Sequence, residues 1–165
     1  MSRRKSETFP TEVRAASETP RAVPRQSIYL YTAAALLSLI GLADSIYLTI
    51  EHLAGRAVQC TVTSGCEEVL TSAYASIGGV PLAGVGAVAY FVVFSTAILA
   101  AFGNRPAGNL LFYVVALMLV VSVYLFALQA FVLHAFCQFC LLSGAVTLLL
   151  ALIVAAEQFY VRRKR

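Results

Sequence analysis

Four cysteines carry the chemistry legible in this chain of 165 residues. Cys137-Gln138-Phe139-Cys140 is a Cys-x-x-Cys pair placed where a long apolar segment restarts after a short break. Cys60 and Cys66 form a Cys-x5-Cys pair in a more polar stretch. A dithiol at a helix start meets unpaired N–H groups and partial positive charge, which favour thiolate over thiol. On the sequence that effect is expected at Cys140. Three chemistries use four cysteines so arranged. The first is a redox relay, in which one dithiol passes two electrons to the next through mixed disulfides. The second is a pair of structural disulfides, although a Cys-x-x-Cys bridge closes too short a loop to stabilise much by chain entropy. The third is a four-thiolate metal site, for which Cys-x5-Cys is a poor spacing. These spacings favour the relay, with no metal expected.

The elements that position the cysteines are apolar spans. The chain is 60% hydrophobic and 12% charged, against roughly a quarter charged in soluble domains. Several runs exceed the length of about 18 residues that can cross a bilayer. Spans are expected at about 27–53, 82–102, 109–133 and 140–160. The expected fold is all-α, an integral membrane four-helix bundle. Residues 1–26 read as a disordered basic tail, with Pro10, Pro20 and Pro24 and no apolar periodicity. The first span is longer than a signal-peptide core and no small-residue cleavage site follows it, so it reads as an uncleaved anchor. Between spans one and two, Glu67 to Tyr74 fits a short interfacial helix with Leu70, Ala73 and Tyr74 on one face. Gly78-Gly79-Val80-Pro81 reads as a turn, with Pro81 suited to a first helical position. Gly103-Asn104-Arg105-Pro106 reads as a tight turn between spans two and three.

Charge sets the orientation. Six basic residues lie in the tail, Arg105 lies between spans two and three, and residues 161–165 hold four more; Arg56 alone lies on the opposite side. The positive-inside rule puts both termini in the cytoplasm. Both cysteine pairs then face outward, where disulfides persist. Basic residues that flank apolar spans give no reason to expect nucleic acid.

Other residues carry weaker signals. Asp44 lies inside the first span, where a carboxyl is costly unless it faces protein or water; it reads either as a functional group or as a side chain reaching the helix end. Glu51 and His52 lie at that end. Phe131, Phe136 and Phe139 offer flat apolar surface, for which helix packing or lipid contact is the plainer use. Gln129 suits a hydrogen bond to a ligand carbonyl or to another helix. His134 suits proton transfer or plain solvation.

The string Gly65-Cys66-Glu67-Glu68-Val69-Leu70-Thr71-Ser72-Ala73-Tyr74-Ala75, the run Gly79-Val80-Pro81-Leu82 and the Cys137–Cys140 motif together resemble the vitamin K epoxide reductase family. The resemblance covers about residues 27–160. The other four-helix, quinone-linked oxidase, of the Dsb type, carries its Cys-x-x-Cys in the first outer loop, so the order of the pairs also favours this family. The resemblance implies a membrane thiol–disulfide oxidoreductase. It would oxidise an exported thioredoxin-like (DsbA-like) protein and pass the electrons to a membrane quinone of menaquinone, ubiquinone or phylloquinone type. It implies that Cys140 meets the quinone, that Cys137 bridges to Cys66, and that Cys60 exchanges with the partner. Ser72 in the loop helix, with Leu82 and Tyr90 of span two, would line the quinone site, and of the aromatic residues named above Phe139 is the one expected to add its flat face there. Many bacterial members carry a fused thioredoxin-like domain; here the partner is expected to be a separate protein. The setting implied is the bacterial cytoplasmic membrane. Vertebrate members have a tyrosine four residues after the last cysteine where this chain has Gly144, which points away from epoxide reduction. Quinone or epoxide reduction for cofactor recycling, and a non-enzymatic scaffold with structural disulfides, are the alternatives.

Overall fold

In the computed structural model, which describes residues 24–56, 58, 60 and 65–163, four helices are long and apolar enough to cross a membrane. The expected basic tail lies almost wholly outside the described residues. Helix α1 is Arg25–Leu53, followed by the short α2, Cys66–Thr71. Strands β1, Ser76–Ile77, and β2, Val80–Pro81, pair antiparallel, Ile77 opposite Val80. Helices α3, Leu82–Ala101, and α4, Arg105–Leu128, come next. A π turn, Gln129–Leu133, extends α4, and α5, Gln138–Arg163, closes the bundle. The spanning helices pack as a closed ring: α1 on α3, α3 on α4, α4 on α5, and α5 on α1.

Local chemistry explains where the elements start and stop. Gly78 and Gly79 have φ of +59° and +84°, as the central residues of a type I′ hairpin turn require. Pro81 sits in extended conformation at the N-cap of α3, one place before the helical position expected of it. The third span begins at Arg105 rather than 109. The Asn104 side chain caps it by accepting from the Ala107 N–H at 3.1 Å, and Pro106 in the first turn has no N–H to leave unpaired. The short helix is shorter than its pattern suggests. Glu67 and Glu68 favour its first turn, but Ser72 turns extended, at ψ 156°, and ends it. Its buried residues are Cys66 and Val69, not the Leu70–Ala73–Tyr74 face.

The core uses small residues where helices touch. Along α1, Ala34, Ser38, Gly41, Ser45 and Leu48 are buried at helical spacing. Small side chains let helix backbones approach closely, and in lipid that packing replaces the hydrophobic drive. Gly41 lies directly against the Tyr90 ring. Tyr90, Val93, Ala97, Leu111, Val115 and Leu150 complete the central cluster. Large apolar residues such as Val88, Leu117 and Phe131 point outward, the pattern of a bundle solvated by lipid tails.

Candidate functional site

All four cysteines gather at one end of the bundle. Cys66 and Cys137 are buried in one cluster with Val69 and Ala135, and Cys60 and Cys140 pack against it. Cys60 and Cys66 form a disulfide with Cα atoms 5.6 Å apart, while Cys137 and Cys140 are thiols. Gly65 makes this meeting possible. A Cβ on Gly65 would lie 2.8 Å from the Phe136 backbone nitrogen and 2.9 Å from the Ala135 Cβ. The loop that carries Cys66 therefore rests directly on the segment that leads into Cys137.

That segment is held by Gln129 and His134. His134 takes a left-handed conformation, φ 50°, which ends the π turn and is uncommon for a residue with a Cβ. Ala135 N–H donates to the Gln129 backbone carbonyl at 3.2 Å. The buried Gln129 side chain accepts from the Cys137 N–H at 3.0 Å. Of the two uses considered for Gln129, the internal hydrogen bond is the one made. Phe131 faces outward, and Phe136 pairs with Phe126 at 6.2 Å between ring centroids.

Cys137 precedes the first turn of α5, and its carbonyl accepts from the Leu141 N–H. It is thus the N-cap, and the helix-start amides act on Cys137, where the sequence pointed to Cys140. A hydrogen bond from the Cys140 thiol is the largest influence, and the backbone N–H groups of Cys140 and Phe139 add to it. Burial opposes them, yet the Cys137 thiol is pulled from the ordinary 9.0 down to about 7.

Cys140, one turn on, borders a cavity of about 530 Å³ lined by all four spanning helices and by the α2–β1 segment. Ser72, Leu82 and Tyr90 line it, whereas Cys137, Cys60 and Cys66 do not. Phe139 is outside the lining too and packs against Tyr47, with ring centroids 5.4 Å apart. Ser72 caps α2 instead of lying within it, its hydroxyl donating to the Val69 carbonyl at 2.7 Å. The Tyr90 hydroxyl is buried against α5. It donates to the Ser143 carbonyl at 2.8 Å and lies 2.9 Å from both the Ser143 and Thr147 hydroxyls. Tyr90 therefore offers the cavity its ring. Ser143 and Thr147 escaped the sequence reading, although Cys140, Ser143 and Thr147 recur at i, i+3, i+7 on one helical face.

Asp44 and His52 also line the cavity. Asp44 is 8% exposed, which removes its reading as a side chain reaching solvent. Glu51 pairs with Arg56 at 2.9 Å at the C-terminal end of α1. The cavity is within the usual size range of small-molecule sites. It is mostly apolar, with a few polar groups from Asp44, Ser72 and Gln129. Apolar walls with a few polar groups to fix orientation are the usual lining of a small-molecule site.

Comparison with protein-family models matches residues 32–155 to the Vitamin K epoxide reductase family. The match spans most of the chain, from within α1 to within α5, and includes all four cysteines. This multi-pass membrane protein, with its disulfide and dithiol gathered at one end, belongs to the vitamin K epoxide reductase family of oxidoreductases.

Proposed function

We propose that this chain is a quinone-dependent thiol–disulfide oxidoreductase that oxidises an exported thioredoxin-like protein and so supports disulfide formation. The observation that carries the reading is the split within one Cys-x-x-Cys motif. Cys140 borders the cavity, while Cys137 is buried in the cluster with Cys66. One end of the motif therefore faces a site for a small apolar acceptor, and the other faces the second pair.

The steps follow from thiol chemistry. A thiolate of the reduced partner attacks the Cys60–Cys66 disulfide at Cys60, and the partner's second thiol leaves with the new disulfide. The freed Cys66 thiolate attacks Cys137 in an oxidised Cys137–Cys140 pair, forming a Cys66–Cys137 bond. Cys60 then resolves that bond and restores Cys60–Cys66. Two electrons now reside on the Cys137–Cys140 dithiol. A disulfide at Cys60–Cys66 beside two inner thiols corresponds to that point in the cycle. A quinone supplies a two-electron, two-proton acceptor when bound, and Cys140, Ser72, Leu82 and Tyr90 would hold it. The cysteine end would face the extracytoplasmic side of a bacterial cytoplasmic membrane.

Replacing Cys140 with Ala tests the reading. With reduced partner and quinone supplied, quinol formation should fall to background, and a Cys66–Cys137 bridge should accumulate. Undiminished quinol formation would overturn the relay. Turnover on quinone epoxide but not on quinone would assign the same cysteines to cofactor recycling.

A further inference from the structure

Among the described residues, two acids are buried in the spanning helices, Glu157 and Asp44. Glu157 shares a hydrogen bond with the Tyr31 hydroxyl. Asp44 differs: its Oδ2 is buried with no hydrogen-bond partner. It lies more than two turns inside the end of α1 and lines the same cavity as Cys140. A carboxyl at such depth with one oxygen left without a partner is costly, and in membrane proteins such groups mark ion and proton pathways. The other titratable groups lining the cavity are His52, Tyr74, Tyr90 and Cys140. The Tyr90 hydroxyl is committed to Ser143 and Thr147. His52 lies beside the outer end of α1, and Tyr74 is half exposed. Asp44 is thus the deep group with an oxygen left over.

We infer that Asp44 is the proton carrier of this cavity, protonating a carbonyl oxygen of the quinone reduced beside Cys140. The inference rests on the quinone reading above and assigns a further residue to it. Closing the Cys137–Cys140 disulfide from the dithiol releases two electrons and two protons. Both electrons and both protons are needed to turn a quinone into a quinol. Asp44 gives one proton to the quinone oxygen and regains one from the thiols, so its carboxyl is unchanged after each turnover. Asp44 has the right placement for this relay because it shares the cavity with Cys140, and no internal hydrogen bond at Oδ2 must be broken first.

The test uses the full chain in lipid nanodiscs, as wild type, Asp44→Asn and Asp44→Glu. Pre-reduced protein is mixed with a short-chain quinone and quinol is followed through one turnover. Asp44→Asn should slow quinol formation about a hundredfold, the scale of one positioned acid. Asp44→Glu should restore part of the rate. Electron transfer from a reduced thioredoxin-like protein to an oxidised Cys137–Cys140 pair, read by thiol trapping without quinone, should stay within about twofold of wild type in both variants. Infrared spectra of the quinone-free protein should show a protonated-carboxyl band that grows as the pH is lowered and is lost in Asp44→Asn. Quinol formation in Asp44→Asn within about twofold of wild type would overturn the inference, as would the absence of that band or an equal loss of thiol transfer. A wild-type protein that reduces no quinone would instead overturn the reading on which the inference rests.

Discussion

At the scale of single residues, the most consequential feature is which cysteine caps the helix. A thiolate is the nucleophile in disulfide exchange, and the cap position gives that character to Cys137, with the Cys140 thiol as chief donor. The group ionises as pH rises, so a lowered pKa means that thiolate is present above about 7 and lost as pH falls through it. The rate at which Cys137 attacks the Cys60–Cys66 disulfide can be followed in Cys140→Ser, which keeps a hydrogen-bond donor. It should drop about tenfold per pH unit below a midpoint near 7 and level off above it. In Cys140→Ala the donor is gone, and the midpoint should move to higher pH. Coincident profiles for the two variants, measured by trapping the Cys66–Cys137 bridge, would show that the cap amides alone set Cys137. The cysteine types and spacing were legible in the sequence. The cap assignment was not, because it depends on where the helix starts, and His134 and Gln129 decide that through backbone conformation and one buried hydrogen bond.

At the scale of elements, the contact that matters is between α2 and the segment before α5. Six residues make a helix too short to hold itself in water. Its position comes from Cys66 and Val69, buried against Ala135 and Cys137, and from Gly65, which has no side chain to keep the two backbones apart. Gly65→Ala should therefore act at this joint. The added methyl meets backbone at Phe136, which cannot swing aside as a side chain could. Overpacking of this kind costs about 1–3 kcal/mol, and relief requires α2 to lift away from Cys137. Formation of the Cys66–Cys137 bridge in Cys140→Ala should slow in the double variant, while binding of a quinone analogue in the cavity should change little. Equal bridge formation with and without the methyl would show that the loop reaches Cys137 by another path. The hairpin was also readable from Gly78-Gly79, since few other residues accept positive φ twice in succession. The length of α2 was not, because apolar spacing over Leu70–Tyr74 continued past the point where Ser72 turns extended.

At the scale of the whole molecule, the bundle sets the cysteine end against an end flanked by basic residues. The loop holding Arg56 and the turn holding Arg105 lie at opposite ends of α3. A membrane-impermeant maleimide should label Arg56→Cys from the extracytoplasmic side and Arg105→Cys only after the membrane is opened; the reverse pattern would invert the proposed orientation. Four spans, a helical fold and the gathering of both cysteine pairs at one end of the bundle were legible in the sequence alone. Long apolar runs have no other stable form in lipid, where every backbone polar group must be paired within the chain. The family was also within reach, through motifs that are local in sequence. What only the tertiary structure decided is how distant residues meet. Cys66 packs with Cys137, Asp44 shares a cavity with Cys140, and the Tyr90 hydroxyl turns away into Ser143 and Thr147. Helical periodicity tells which residues share a face. Which face meets which depends on where small residues such as Gly41 and Gly65 let backbones come close, and that closeness exists only once the helices have packed.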